Sequence, residues 1–185
     1  MSREVTLGVG ILVALMVGVA WNSLCVPPDA NGQQPVATAK PDDKAVERAR
    51  GSVKLLDNIF KQTVVMITDK YVHDEDDFAA GSAAVLLFKN ISESGPTKVR
   101  LIDATGQPYE AENVAKDAFE KEGIKRLTAG EGGYEEVTTI DGKDVLRSMT
   151  PVPVVMKKCV MCHAHYADVK EGQAIGAISY TVPIE

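Results

Sequence analysis

The sequence predicts an α+β domain, and three observations carry that prediction. An apolar stripe with spacings of three and four runs through residues 44–71, the period of an amphipathic helix. Polar and apolar residues alternate over residues 98–104, the period of a half-buried strand. Asp141-Gly142 separates two further strand-like runs, and this dipeptide suits the positive φ of a tight hairpin turn. A long helix followed by antiparallel strands with inserted helices is α+β organisation.

In the long helix the stripe is Val46, Ala49, Val53, Leu56, Phe60, Val64, Ile67 and Tyr71, with Asp42 or Asp43 as the expected cap. A weaker second stripe holds Leu55, Ile59 and Met66, and His73 joins it if the helix continues. A second helix is expected over residues 75–88, rich in small residues from Ala79 to Ala84 that allow close packing against the first helix or a flat ligand. The strand at 98–104 should end in the Thr105-Gly106-Gln107-Pro108 turn. A third helix is expected over residues 113–128, with Asn113 as cap and Gly130 as stop. The hairpin pairs residues 136–140 with 143–150, and residues 174–183 form the last strand.

The 185-residue chain is 45% hydrophobic and 25% charged, which excludes a disordered or collagen-like polymer. Its 20 Lys and Arg against 26 Asp and Glu give a net charge of −6, and no long basic run is present. Phosphate affinity rests on clustered positive charge, so a nucleic-acid partner is not expected. After Arg3 and Glu4 no charge appears until Asp29. The intervening apolar stretch reads either as a secretory signal, cut near Gly18-Val19-Ala20, or as a membrane anchor. As a helix, residues 5–26 would span about 33 Å, enough for a hydrocarbon core of about 30 Å. Cys25 is no lipoprotein site, because Leu24 before it is too large. Residues 1–26 are therefore assigned to a signal or anchor, 27–43 with its four prolines to a linker, and 44–185 to the folded domain. An exported, periplasmic or extracytoplasmic domain is expected, tethered to the membrane if the segment is retained.

The chemistry is concentrated in Cys159-Val160-Met161-Cys162-His163, the attachment signature of c-type haem. Two thiols three positions apart on an incipient helix can each add to one porphyrin vinyl group, and the following His then supplies the proximal imidazole. A zinc site would want four protein ligands, for which only His165 and His73 could supplement the set. A thioredoxin-like redox pair expects the motif after a strand in a cytoplasmic α/β context. Export and covalent haem agree with each other, since c-type haem is assembled outside the cytoplasm.

Around this motif lie residues 100–108, Asp117-Ala-Phe-Glu120, residues 146–153 and, after it, residues 176–180. In that order they resemble the PAS-like c-type haem family, whose members occur as exported monohaem proteins or as extracellular sensor parts of signalling proteins. The resemblance covers roughly residues 44–185. It implies a small antiparallel sheet backed by a long N-terminal helix, with one covalent haem c between them. Some members use a cysteine of that helix as second iron ligand. This chain departs from them, because outside the motif its only cysteine is Cys25.

For the iron's other side the candidates are Met66, His73, His165 or an open position. Met66 comes first, on the second stripe where the family's distal ligand would fall, although a helical Met is more often core filler. His73 sits among Asp74, Glu75, Asp76 and Asp77 and reads also as a solvated helix end. His165 is too close to His163 to reach the opposite face. Arg100, Arg147, Lys157 and Lys158 are possible partners for haem propionates, and Tyr166 and Tyr180 for the pocket wall. The expected function is one-electron transfer, without substrate turnover and so not an enzyme. The alternative is a redox or diatomic-gas sensor. Partners would be a redox protein or a signalling protein, with pairing to itself or to a related subunit left open.

Overall fold

The computed structural model describes residues 40–74 and 77–185. The segment expected as signal or anchor, most of the linker, and Cys25 lie outside the described residues. Residues 40–185 form one compact unit. Among the described residues no helix is long and apolar enough to cross a membrane.

Helix α1 spans Asp43–Tyr71, close to its expected bounds. Asp42 occupies the cap position, but its side chain makes no cap hydrogen bond. Ala49, Val53 and Phe60 are buried as the stripe requires. Toward the C-terminus the buried row continues through Thr68 and Val72, while Tyr71 is 70% exposed. An i+4 row winds about 40° around a straight helix at each step, so burial at 68 and 72 in place of 67 and 71 means that the buried side turns around α1 toward its C-terminus. The second stripe faces outward: Leu55, Ile59 and Met66 are all exposed.

Helix α2 spans Ala80–Ser94, later than expected at both ends. Before it the Asp77 carboxylate accepts the backbone N–H groups of His73 at 2.7 Å and Asp74 at 3.3 Å, so this stretch is turned rather than helical. Its far end runs past Phe88 because Ile91 continues the packed row, and it stops at Gly95-Pro96. The small residues serve the packing of helix against helix: Ala84 lies in one core with Ala49, Val53 and Phe60.

Strand β1 is Lys98–Asp103, followed by helix α3, Ala118–Thr128. The expected start at Asn113 is wrong by one turn and more. Residues 112–114 are held by Arg100, whose guanidinium donates to the carbonyls of Glu112 and Val114. Asp117 is the cap instead, accepting the N–H of Glu120 at 2.9 Å, while the Glu120 carboxylate accepts the N–H of Lys116 at 2.8 Å. Gly130, with φ of 98°, closes the helix as expected.

Strands β2, Tyr134–Ile140, and β3, Lys143–Pro153, form the hairpin around Asp141 (φ 51°) and Gly142 (φ 74°), both left-handed as a tight primed turn demands. β3 outruns its expected end at Thr150 by pairing with β4, Ala174–Pro183, which keeps the expected bounds. The sheet order is β1-β4-β3-β2, antiparallel throughout. On one face Val99, Leu146, Ile178, Tyr180 and Val182 meet α1 and α2. On the other, Ile102, Met149 and Ala177 meet Phe119 and Leu127 of α3. This is the α+β, PAS-like arrangement that the sequence predicts.

Candidate functional site

The connection from β3 to β4 carries the motif. It forms one short helix, α4 (Lys158–Cys162), then a 3-10 turn, Ala164–Asp168. Prolines 151 and 153 and the extended residues after them cannot continue a helix, so α4 starts only where Cys159 N–H reaches Met156 O (3.1 Å) and Val160 N–H reaches Lys157 O (3.0 Å). Cys159 and Cys162 are free thiols, both half-buried. Three positions apart on one helical turn, they share a side of α4.

His163 leaves the helix with non-helical backbone (φ −129°, ψ 73°). Its ring stacks on Tyr166 at 4.5 Å and meets the edges of Tyr109 at 5.8 Å and His165 at 5.9 Å. Burial, then the neighbouring His165, push the His163 imidazole below its ordinary value, against a smaller opposite pull from Asp103. That keeps a nitrogen lone pair available near neutrality, the state a metal ligand needs. Burial first, then Asp103 and Cys159, raise the Tyr166 phenol to about 12, so it stays a neutral wall of the site.

Two anchors fix this connection. On one side the Thr105 hydroxyl lies 3.5 Å from His165 Nε2, and that hydroxyl is oriented by Asp103 at 2.7 Å. On the other, the Lys158 ammonium donates to the carbonyls of Thr68, Asp69 and Val72 at the end of α1. Lys158 is thus engaged by α1 rather than left free for a propionate. Arg100 and Arg147 are also engaged, on the α3 face of the sheet: Arg100 pairs with Glu120 at 2.6 Å and Arg147 with Asp117 at 2.8 Å. Tyr180 lies in the core of the α1 face, its hydroxyl donating to Asp57 at 3.0 Å.

The distal candidates occupy the same end of α1. Met66 is 53% exposed, so it is not core filler. His73 is exposed beyond the helix end. Large apolar side chains in segments next to the motif or to its anchor are likewise uncovered: Tyr71 at 70%, Phe78 at 67%, Tyr109 at 68% and Val155 at 58%, with Tyr109 in ring contact with His163. Tyr71 and Phe78 adjoin Val72 and Asp77, which face Lys158 through a hydrogen bond and a charge interaction, and Val155 precedes α4. Tyr109 is the site residue that sequence reasoning missed, since nothing local in Pro108-Tyr109-Glu110 signals contact with a ring 54 positions away. Two free thiols on one turn, a neutral imidazole beside them and an apolar collar form a donor set that fits a haem. Among the described residues no group of three or more His, Cys, Asp and Glu is arranged to hold a metal ion by itself.

No curated protein matches the chain. Among solved structures, the crystal structure of the cyanobacterial haem protein Tll0287 matches with a TM-score of 0.54 and 10% sequence identity, covering 77% of this chain and 96% of that one. This likeness is one of fold. The family model described as Tll0287-like matches residues 38–183, which embraces every strand and helix described above. The chain belongs to the Tll0287-like family.

Proposed function

We propose that this protein is an exported monohaem c-type cytochrome that carries one electron at a time. The observation that carries the reading is the site itself: Cys159, Cys162 and His163 on one turn, inside a collar of exposed aromatic and aliphatic side chains. Membership in the Tll0287-like family and the likeness of fold to a haem protein support it. When bound, haem would supply a one-electron iron couple. The chain's own residues do the rest. Cys159 and Cys162 would hold the haem, each thiol adding across one vinyl group with the sulfur on one carbon and the proton on the other, without net oxidation. His163 offers its unprotonated nitrogen to the metal, held in orientation by Tyr166 and Tyr109. Tyr109, in ring contact with His163, would cover one side of the bound group.

Met66 is the first candidate for the opposite iron position, and His73 the second. A thioether there would raise the reduction potential relative to a second imidazole. The second reading, a redox or gas sensor acting through a separate partner, draws on the PAS-like fold and on the outward-facing positions of Met66 and His73.

Absorption spectra of the full chain, produced in a host competent for cytochrome c maturation, test the reading. A low-spin c-type spectrum that CO leaves unchanged in the ferrous state is expected, with conversion to a CO-binding form in Met66→Ala. Ready CO binding by the unaltered protein would favour the sensor. Absence of haem absorption would end both readings.

A further inference from the structure

The residue immediately before the first motif cysteine makes the longest-range polar contact of the site. The Lys158 ammonium lies 3.3 Å from Thr68 O, 2.7 Å from Asp69 O and 2.8 Å from Val72 O. An ammonium carries three protons, and all three are used. The acceptors belong to the last turn of α1 and its C-cap, the positions where a helix leaves carbonyls without intrahelical partners and concentrates negative dipole charge. The C-cap residue, Val72, is extended (φ −98°, ψ 114°), so no left-handed glycine closes this helix. Lys158, 86 to 90 positions further along the chain, closes it instead. The Asp69 carboxylate, held low first by Lys70, and the Asp77 carboxylate, held low first by the His73 and Asp74 N–H groups, also lie within electrostatic range of Lys158.

We propose that Lys158 is a positioning residue of the haem site: it clamps the last turn of α1 to the attachment helix and, through that clamp and its own charge, raises the reduction potential of the haem. The proposal rests on the haem reading above. Cys159 is the next residue, so the clamp is one peptide unit from the first thioether link. A cation close to the iron disfavours the ferric form. Without it, three carbonyl dipoles at the end of α1 lose their cation and the potential falls, while Asp69 keeps Lys70 and Asp77 keeps its backbone donors.

The test uses the full chain with haem attached, and the same chain without haem, as Lys158→Gln and Lys158→Arg. In Lys158→Gln the haem should stay attached, the potential should fall, and amide hydrogen exchange in the last turn of α1 should quicken by about tenfold with or without haem. Lys158→Arg, which restores the charge and several donors, should recover most of the potential. A haem-loaded Lys158→Gln protein with unchanged potential and unchanged exchange would overturn the proposal and leave the haem reading intact. Equal loss of potential in Lys158→Arg would also overturn it, since packing alone would then account for the change. If Lys158→Gln fails to accumulate, Lys158→Met keeps the alkyl stem and gives the same comparison; failure of both assigns Lys158 to folding only and sinks the proposal. Wild-type chain without haem would remove both this inference and the reading beneath it.

Discussion

Glu120 shows how much one side chain does on the α3 face. It is 3% exposed, accepts two bonds from Arg100 at 2.6 and 2.9 Å, and accepts the backbone N–H of Lys116. A buried carboxylate is tolerated only when paired and hydrogen-bonded in this way. Glu120→Ala should cost about 2–3 kcal/mol in urea unfolding, below the full cost of breaking a buried pair because Arg100 keeps a third of its side chain in water. Glu120→Gln, which retains the shape and one acceptor, should cost about half as much. These partners were not legible in the sequence as a pair, since residues 100 and 120 belong to different elements. The Asp117-x-x-Glu120 spacing, however, is a capping-box signature and could have been read. In the second polar knot, which is half-buried, only the Asp57–Lys61 pair has a local signature, its i,i+4 spacing; the bonds of Asp57 to Tyr180 and Thr150 have none. Burial and then Asp57 raise the Tyr180 phenol, so it stays a donor to that carboxylate.

At the scale of elements, the parts that followed local rules came out as read. β4, the hairpin turn and the stop at Gly130 each depend on residues within a few positions of one another. The start of α3 did not, because Arg100 captures the carbonyls of residues 112 and 114 and makes Asp117 the first free cap. α2 shifted for a similar reason, the Asp77 carboxylate gathering the preceding N–H groups. Burial raises the Asp117 carboxyl, but the Glu120 N–H and Arg147 outweigh it and hold the group below its ordinary value. Stability from that charge is therefore present above the unfolded carboxylate's pKa of about 3.9 and fades as pH falls through the lower folded value. Asn caps a helix about as well as Asp, so Asp117→Asn removes the charge and keeps the cap. The variant should be less stable than wild type near neutrality by about 0.5–1 kcal/mol, with the gap closing below about pH 4. Thermal unfolding at pH 7 and pH 3 measures both ends.

For the whole molecule, the fold class and family were legible in the sequence, and so was the local placement of the motif, but not what surrounds it. Cys159, Cys162 and His163 stand in one turn because five consecutive residues fix them, whatever the rest of the chain does. The collar read from Tyr71, Phe78, Tyr109 and Val155 was not legible, since their exposure depends on the fold and they come from four separate segments. That collar gives a direct consequence: chain prepared without haem should bind the apolar dye ANS at this surface, and chain with haem should bind much less. Equal fluorescence from both forms would mean that the collar is not what the haem covers.

The central claim is a covalent porphyrin at the two thiols of α4. Mass spectrometry of the intact polypeptide, made in a host that matures c-type cytochromes, tests it most directly. The mass should be greater by one haem, and that increment should vanish when Cys159 and Cys162 are both replaced by Ser. An unmodified mass from that host would contradict it.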